Sequence, residues 1–456
     1  MLLLFITSNR RDVPALPDVD APAKPYSRLA VGSWAMYDFA NSAFTTLVVT
    51  FIFATYFTDA IAENNVIGTE LWSRGVALSQ IAVAVLSPFL GALADRGGYR
   101  KRFLLLATFV CVGGSSLLYT AGPGDVLFAL GIFVVANVAF ELANVFYNAF
   151  LPDIAPAHRI GRVSGYGWSV GYLGGLLCLL AGYYLFVAPE TPPFGLSAEA
   201  GEHVRATNLL VAAWYGLFSI PLFVVLKERA LDDPARVGPV VRSATRRLVD
   251  TFRDLHAYRD IFWLLLARLV YNDGLVTIFA FGGIYAVGTF GFTTADIFLF
   301  GIALNLAAGI GAYGFGFVDD RLGGRTTILI SLALLTLAAG MAVAATTRAV
   351  FWAAALLVGL CAGPNQSASR SLMGRFIPLH KENEFYGFFA FSGKATAFLG
   401  PVLLGLITGF FDSQRAGMAV VILFFVIGGL ILTRVDEERG SARADRAVEL
   451  ATPPID

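Results

Sequence analysis

The sequence predicts an all-α membrane protein: twelve transmembrane helices in two pseudo-symmetric six-helix bundles. Three observations carry that expectation. First, 57% of the 456 residues are hydrophobic and 14% charged, with a mean hydropathy of +0.68, whereas a soluble protein carries about 25% charge. Second, apolar runs of about 20 residues, the length that crosses a bilayer, recur along the chain. Third, one polar stretch occurs twice. GALADRGGYR at 91–100 and GFVDDRLGGR at 316–325 share glycine, acid, arginine, glycine and arginine in register, 225 residues apart. Membrane proteins built from two similar halves are a transporter architecture.

In chain order, a Pro-rich stretch within 1–28 reads as a disordered tail. Six apolar runs follow at 29–57, 71–94, 103–121, 125–150, 164–187 and 206–226, forming an N-terminal bundle over 29–226. A polar central loop at 227–259 splits the chain. Six more runs, at 260–288, 294–318, 326–346, 348–376, 384–409 and 415–434, form a C-terminal bundle over 260–434, with a polar tail at 435–456. Apart from the central loop, only the connection at 188–205 is long. The 39 Phe and 47 Gly suit this environment, glycine because it lets membrane helices approach closely. The repeat extends further: FLP at 150–152 matches FIP at 376–378, Gly161 matches Gly387, and Gly174 matches Gly400.

Lys and Arg set the orientation. The tails, the central loop and every second connection between them hold 26, against 4 on the other side. This predicts that both termini and the central loop are cytoplasmic.

Several function classes have no support. Net charge is +0, which gives nucleic acid no purchase. Cys111, Cys178 and Cys361 lie singly in apolar runs, without a disulfide framework. His158, His203, His256 and His380 fall in polar connections, and no metal site or cofactor is expected. The opening MLLLFI is too short for a signal-peptide core. Gly309 to Gly314 spells GxGxxG, but no strand precedes it, so it reads as helix packing. Gly387 to Lys394 has glycines six apart and Ala395 where a phosphate loop needs Ser or Thr. No ATP site is visible, and a gradient must supply the energy. Gly167, Gly171 and Gly175 form a packing ridge. Arg242, Arg246, Arg247 and Arg253 fit either a lipid-surface helix or a solvated loop.

GALADRGGYRKR at 91–102 and its echo resemble the signature of the major facilitator superfamily. WAMYDFANSAF (34–44), FYNAFLPD (146–153), SGYGWSVGYLGG (164–175) and YNDG (271–274) are similar to the autophagy-related vacuolar amino-acid effluxers and their bacterial relatives. The resemblance covers roughly 28–435 and implies the major facilitator fold, transport of a small solute, and amino acids as the favoured class. It implies that helices 1, 4, 7 and 10 line a central cavity. It also implies that the repeated loop closes the cytoplasmic side, with Gly91, Asp95, Arg96, Arg102, Gly316, Asp320 and Arg321 as the gate.

An ionised group at the bilayer centre costs at least ~2.5–3.5 kcal/mol. Six stand inside apolar runs: Asp38, Glu141, Arg268, Asp273, Arg370 and Lys394. Five of the six fall on the helices that the resemblance assigns to the cavity. Asn137, Glu141, Asn144 and Asn148 share one helical face, as do Asp38, Asn41 and Thr45, and Gln366 and Arg370. Two roles are expected. Arg268, Arg370 and Lys394 attract an anionic substrate group, Arg through its planar fork. Asp38 or Glu141 takes up and releases a proton, a role open to a carboxyl withdrawn from water. Alternatively, these charges pair with each other and only hold the helices together. Trp34, Tyr37, Trp168 and Phe281 suit either an apolar pocket wall or plain packing.

The expectation is therefore a proton-coupled secondary transporter of a small organic solute, working as a monomer with alternating access. Abundant Arg, Ala and Gly suit a bacterial inner membrane. The competing reading is a receptor or scaffold with the same fold that moves nothing. No enzyme arrangement is evident.

Overall fold

The computed structural model describes residues 27–228, 258–378 and 381–451. Most of the expected N-terminal tail and central loop, with Arg242, Arg246, Arg247, Arg253, His256 and His380, lies outside the described residues. Among the described residues every regular element is helical, and twelve helices are long and apolar enough to span a membrane. The protein is an integral multi-pass membrane protein.

The first half holds α1 (Arg28–Ile61), α2 (Asn65–Gly97), α3 (Arg100–Leu118), α4 (Val126–Ile154), α5 (Ala157–Val187) and α6 (Glu202–Val225). The second holds α7 (Arg259–Phe290), α8 (Thr294–Leu322), α9 (Gly324–Ala344), α10 (Arg348–Phe376), α11 (Glu382–Phe411) and α12 (Gln414–Leu432). Each half packs around its own apolar core, one centred on Trp34, Phe44, Phe133 and Tyr215, the other on Tyr271, Leu335, Phe351 and Phe425.

Several helices outrun their apolar stretches because polar residues cap them. The Asn64 side chain accepts from the Val66 and Ile67 amides at 3.1 and 3.0 Å and starts α2 early. Thr293 and Asp296 form a reciprocal capping box that fixes the start of α8 where the apolar run begins. Several spans are irregular, among them α1 and α11. α1 relaxes into wide π-type turns at Phe44–Phe51 and Phe57–Ile61. α11, expected as one run, is helical at Glu382–Lys394 and Leu399–Phe411, with a turn between.

The halves meet along α2 against α11 and α5 against α8. Glycine makes the approach possible: a Cβ at Gly387 would fall on the Ser87 carbonyl, and one at Gly165 on the Ala312 carbonyl. Within the first half, the ridge of α5 packs on α1, Gly171 against Ser42 and Gly175 against Thr46. Gly311 of the GxGxxG string packs on the Leu360 carbonyl of α10.

Beyond the spans, residues expected as a plain tail form α13 (Glu437–Ala451). Glu437 accepts from the Gly324 and Arg325 amides, both at 2.9 Å, and so caps α9. Arg439 forks onto Asp260 at 2.8 and 2.6 Å.

Candidate functional site

A cavity of about 350 Å³ opens between the halves. Asp38, Asn41, Glu141, Asn144, Arg268, Gln366, Arg370 and Lys394 all line it. Its walls come from α1, α4, α5, α7, α10 and α11, so two helices beyond the expected four contribute, with Trp168 from α5 and Phe389 from α11. Two expected residues lie elsewhere. The Asn137 amide donates to the Ser79 hydroxyl at 2.7 Å, tying α4 to α2 inside the first half. Asp273 is buried in the second half beside Thr396.

The cavity charges are paired across the halves. Arg370, on α10, reaches into a cage made by the first half. It donates to Asp38 at 3.1 Å, to the Asn148 side chain at 3.2 Å, and to the Ser164 hydroxyl and carbonyl at 2.9 and 2.7 Å. Trp34, Trp168 and Tyr147 surround its guanidinium, the ring centres 4.7, 5.6 and 5.8 Å away. That desolvated geometry suits the planar cation. A Cβ at Gly167 would collide with Asp38, Arg370 and Trp34, so the cage needs glycine there. On the opposite wall, Lys394 of α11 bonds Glu141 of α4 at 2.7 Å. Arg268 is different. It donates to the Phe389 carbonyl at 2.7 Å and the Ser392 hydroxyl at 3.2 Å, and lies 3.7 Å over the Phe389 ring. Asn272 links Gln366 to the Gly393 carbonyl, at 3.0 and 2.9 Å, just before the α11 break.

Among the four expected aromatics, Trp168 lines the cavity and Trp34 stacks on the Arg370 guanidinium. Tyr37 is buried against Thr108 and Tyr215, and Phe281 packs on the second core.

The repeated loops close one end of the bundle, the face carrying the basic connections. Asp95 accepts from the Asn383 amide at 3.1 Å, its side chain at 2.6 Å, and the Glu384 amide at 2.8 Å. Asp320 accepts from the Gly161 and Arg162 amides at 2.9 and 3.3 Å and from the Arg162 guanidinium at 2.5 Å. Each motif aspartate thus caps the first turn of a helix in the other half, where unpaired amides and the helix dipole favour an anion. A Cβ at Gly91 would fall on the Asn383 carbonyl, and one at Gly316 would crowd Arg162.

A family profile described as "Vacuole effluxer Atg22 like" matches residues 74–445. The chain belongs to that family. An uncharacterized MFS-type transporter, YxiO, of Bacillus subtilis is 29% identical, over 89% of this chain and 94% of its own. Autophagy-related protein 22-1 of Penicillium rubens is 22% identical, over 84% and 77%. Among solved structures, the transporter FucP in its outward conformation superposes with a TM-score of 0.71 at 14% identity, over 90% of this chain and 98% of its own. The human organic anion transporter MFSD10 gives 0.70 at 13%, over 90% and 100%. The fold is that of the major facilitator superfamily, and the chain is similar to transporters of that type.

In this Atg22-like chain the arginines buried around this closed end differ from those the motif singles out. Arg102 is exposed, 5.6 Å over the Tyr99 ring, and Arg321 is exposed. The neighbouring Arg100 is the buried one, bonded to Asp153 at 2.9 Å and to the Ala149 carbonyl at 2.6 Å. Arg375 bonds Asp319 at 2.6 Å and Glu437 at 3.3 Å. The doubled acid at 319–320 was the available signal: Asp319 serves its own half, with Ser371 and Arg375, while Asp320 crosses to the other.

Proposed function

We propose that the protein is a secondary active transporter that moves a small organic solute by alternating access, as a monomer, coupled to protons. Amino acids are the favoured cargo, as the family resemblance implies. One observation carries the reading: both cavity ion pairs, Arg370–Asp38 and Lys394–Glu141, join opposite halves. Each pair ties the halves together only while its carboxylate is charged. A proton on Asp38 or Glu141, or a substrate anion that captures Arg370 or Lys394, loosens the tie. Proton and substrate then bias which end opens, through their different affinities for the two states. Asn41, Asn144 and Gln366 supply neutral hydrogen-bonding groups, and Arg268 a third cation, for orienting the solute.

The positive-inside bias supports a basic face in the cytoplasm, with both termini there, in a bacterial inner membrane. On that assignment the gate is the cytoplasmic one, and its contacts support an outward-facing state. Uptake into proteoliposomes under an imposed pH gradient tests the reading, with a panel of amino acids as probes. Asp38→Asn, Glu141→Gln and Arg370→Ala are each expected to abolish gradient-driven uptake. Full uptake in all three variants contradicts the assigned roles. Absence of any flux through folded wild-type protein favours the receptor or scaffold.

A further inference from the structure

The charges that line the cavity do not cancel. Three are cations, Arg268, Arg370 and Lys394, and two are acids, Asp38 and Glu141. Asp38 takes Arg370 and Glu141 takes Lys394. Arg268 is left over, so the cavity with both pairs formed carries one positive charge in excess. Arg268 is 8% exposed, and it forms no ion pair among the described residues. Carbonyl and hydroxyl dipoles alone hold it, and a buried charge without a counter-ion is costly in a membrane protein.

The guanidinium is spent at one corner only. Nη1 donates to the Phe389 carbonyl at 2.7 Å and to the Ser392 hydroxyl at 3.2 Å. Nε is buried with no partner among the described residues, and Nη2 donates to none of them. Nε–H and Nη2–H share one edge of the planar group, and such an edge takes a carboxylate through two parallel bonds. The Phe389 ring, 3.7 Å away, fixes the plane. Gly393 fixes the place, since a Cβ there would strike Nη1. The neutral groups of the wall are acceptors. Asn41 donates to the Asn144 side chain at 3.2 Å and Gln366 to the Asn272 side chain at 3.0 Å. Each spends an N–H on the wall, while its carbonyl oxygen accepts from none of the described residues.

We propose that the cavity selects small organic solutes of net charge −1, which seat a carboxylate on Arg268 and donate hydrogen bonds to Asn41 and Gln366. A solute of net charge zero leaves the surplus charge of the wall uncompensated. The charge rule narrows the amino-acid reading to acidic or N-acylated amino acids, and it rests on the transport reading only in calling the ligand a cargo. Arg268 packs on Gly393, one residue before Lys394, so the anion arrives beside the Lys394–Glu141 tie.

Thermal unfolding of the purified protein in lipid nanodiscs reads binding without flux, because a ligand of the folded state raises the midpoint. Glutamate with glutamine, and N-acetylalanine with N-acetylalaninamide, serve as probes; in each pair a neutral amide replaces one negative charge. At least one anion is expected to raise the midpoint, with an affinity about tenfold or more above that of its amide. Arg268→Lys keeps the charge and loses the fork, and Gly393→Ala keeps the arginine and displaces it. Each is expected to weaken binding of that anion roughly 10- to 100-fold. Equal stabilisation by anion and amide, stabilisation by neither anion, or undiminished anion binding in folded Arg268→Lys overturns the proposal. Gradient-driven uptake of leucine or glutamine without anion binding sinks the charge rule and leaves the transport reading standing. Anion binding without any flux of that anion keeps the site and sinks the transport reading.

Discussion

Replacing Asp95 with Asn tests the proposed gate. The carboxylate receives three hydrogen bonds from the first turn of α11, at 3.1, 2.6 and 2.8 Å. An amide offers one acceptor oxygen, and its NH2 would face an amide donor. With the amide oxygen in the Oδ1 place, the two Asn383 bonds survive without their charge and the Glu384 bond is lost outright, a charged hydrogen bond being worth ~1.5–3 kcal/mol and a neutral one ~0.5–1.5 kcal/mol. The open state, where water serves these groups, loses little. After allowing for water, the closed state is expected to lose about 2–4 kcal/mol, a shift of roughly 30- to 1,000-fold at 1.4 kcal/mol per decade. Ser87 provides the reporter. Its hydroxyl donates to the Gly387 carbonyl across the halves at 3.0 Å, and it is fully buried. A Ser87→Cys thiol is therefore shielded while the gate is shut, and the native Cys111, Cys178 and Cys361 are buried too. Alkylation by an impermeant maleimide from the basic side reads the open population. Asp95→Asn should accelerate it by the same factor, and Asp125→Asn, in a connection at the opposite end, should not. An unchanged rate in folded Asp95→Asn would refute the idea that this cap holds the gate.

The remaining expectations concern the ties between and beside the halves. Lys394→Ala leaves Glu141 without its cation at the cavity wall and should cost about 1–3 kcal/mol of stability; adding Glu141→Gln should recover most of it in a thermal-unfolding cycle. Gly387→Ala places a methyl on the Ser87 carbonyl, and overpacking of about 1–3 kcal/mol should favour the open gate in the same alkylation assay. Deleting the chain from Glu437 onward removes the cap of α9 and one partner of Arg375. A loss of about 1–2 kcal/mol, read as a lower unfolding temperature, is expected.

Hydropathy and the repeat made the twelve spans and two halves legible in the sequence, because lipid imposes length and composition on every span. Helix ends were less legible. Asn64 is polar and reads as connection, yet it starts α2 six residues before the expected run. The break in α11 leaves no gap in the apolar run, since Ala395, Ala397 and Phe398 are as apolar as a helix would be. Helical spacing placed Glu141, Asn144 and Asn148 on one face correctly, whereas Asn137 drifted off it toward Ser79. Of Asp38 and Asp273, both expected at the site, only Asp38 meets a cation among the described residues. Pairing depends on which residue the other half presents, and the sequence of one half does not contain that. The same limit hid Ser164, which meets Arg370 across the halves; Arg375 was hidden because its partners Asp319 and Glu437 lie on other helices of its own half.

Spin-label distances at both ends of the bundle measure the central claim most directly. Exposed Ala157 and Leu322 report across the basic end, and exposed Glu63 and Thr346 across the other. Alternation about the latched cavity predicts two populations in which one distance lengthens as the other shortens, with Asp95→Asn and Asp38→Asn both shifting weight toward the basic-open form. One fixed distance at each end, unmoved by either substitution or by pH, would contradict the account.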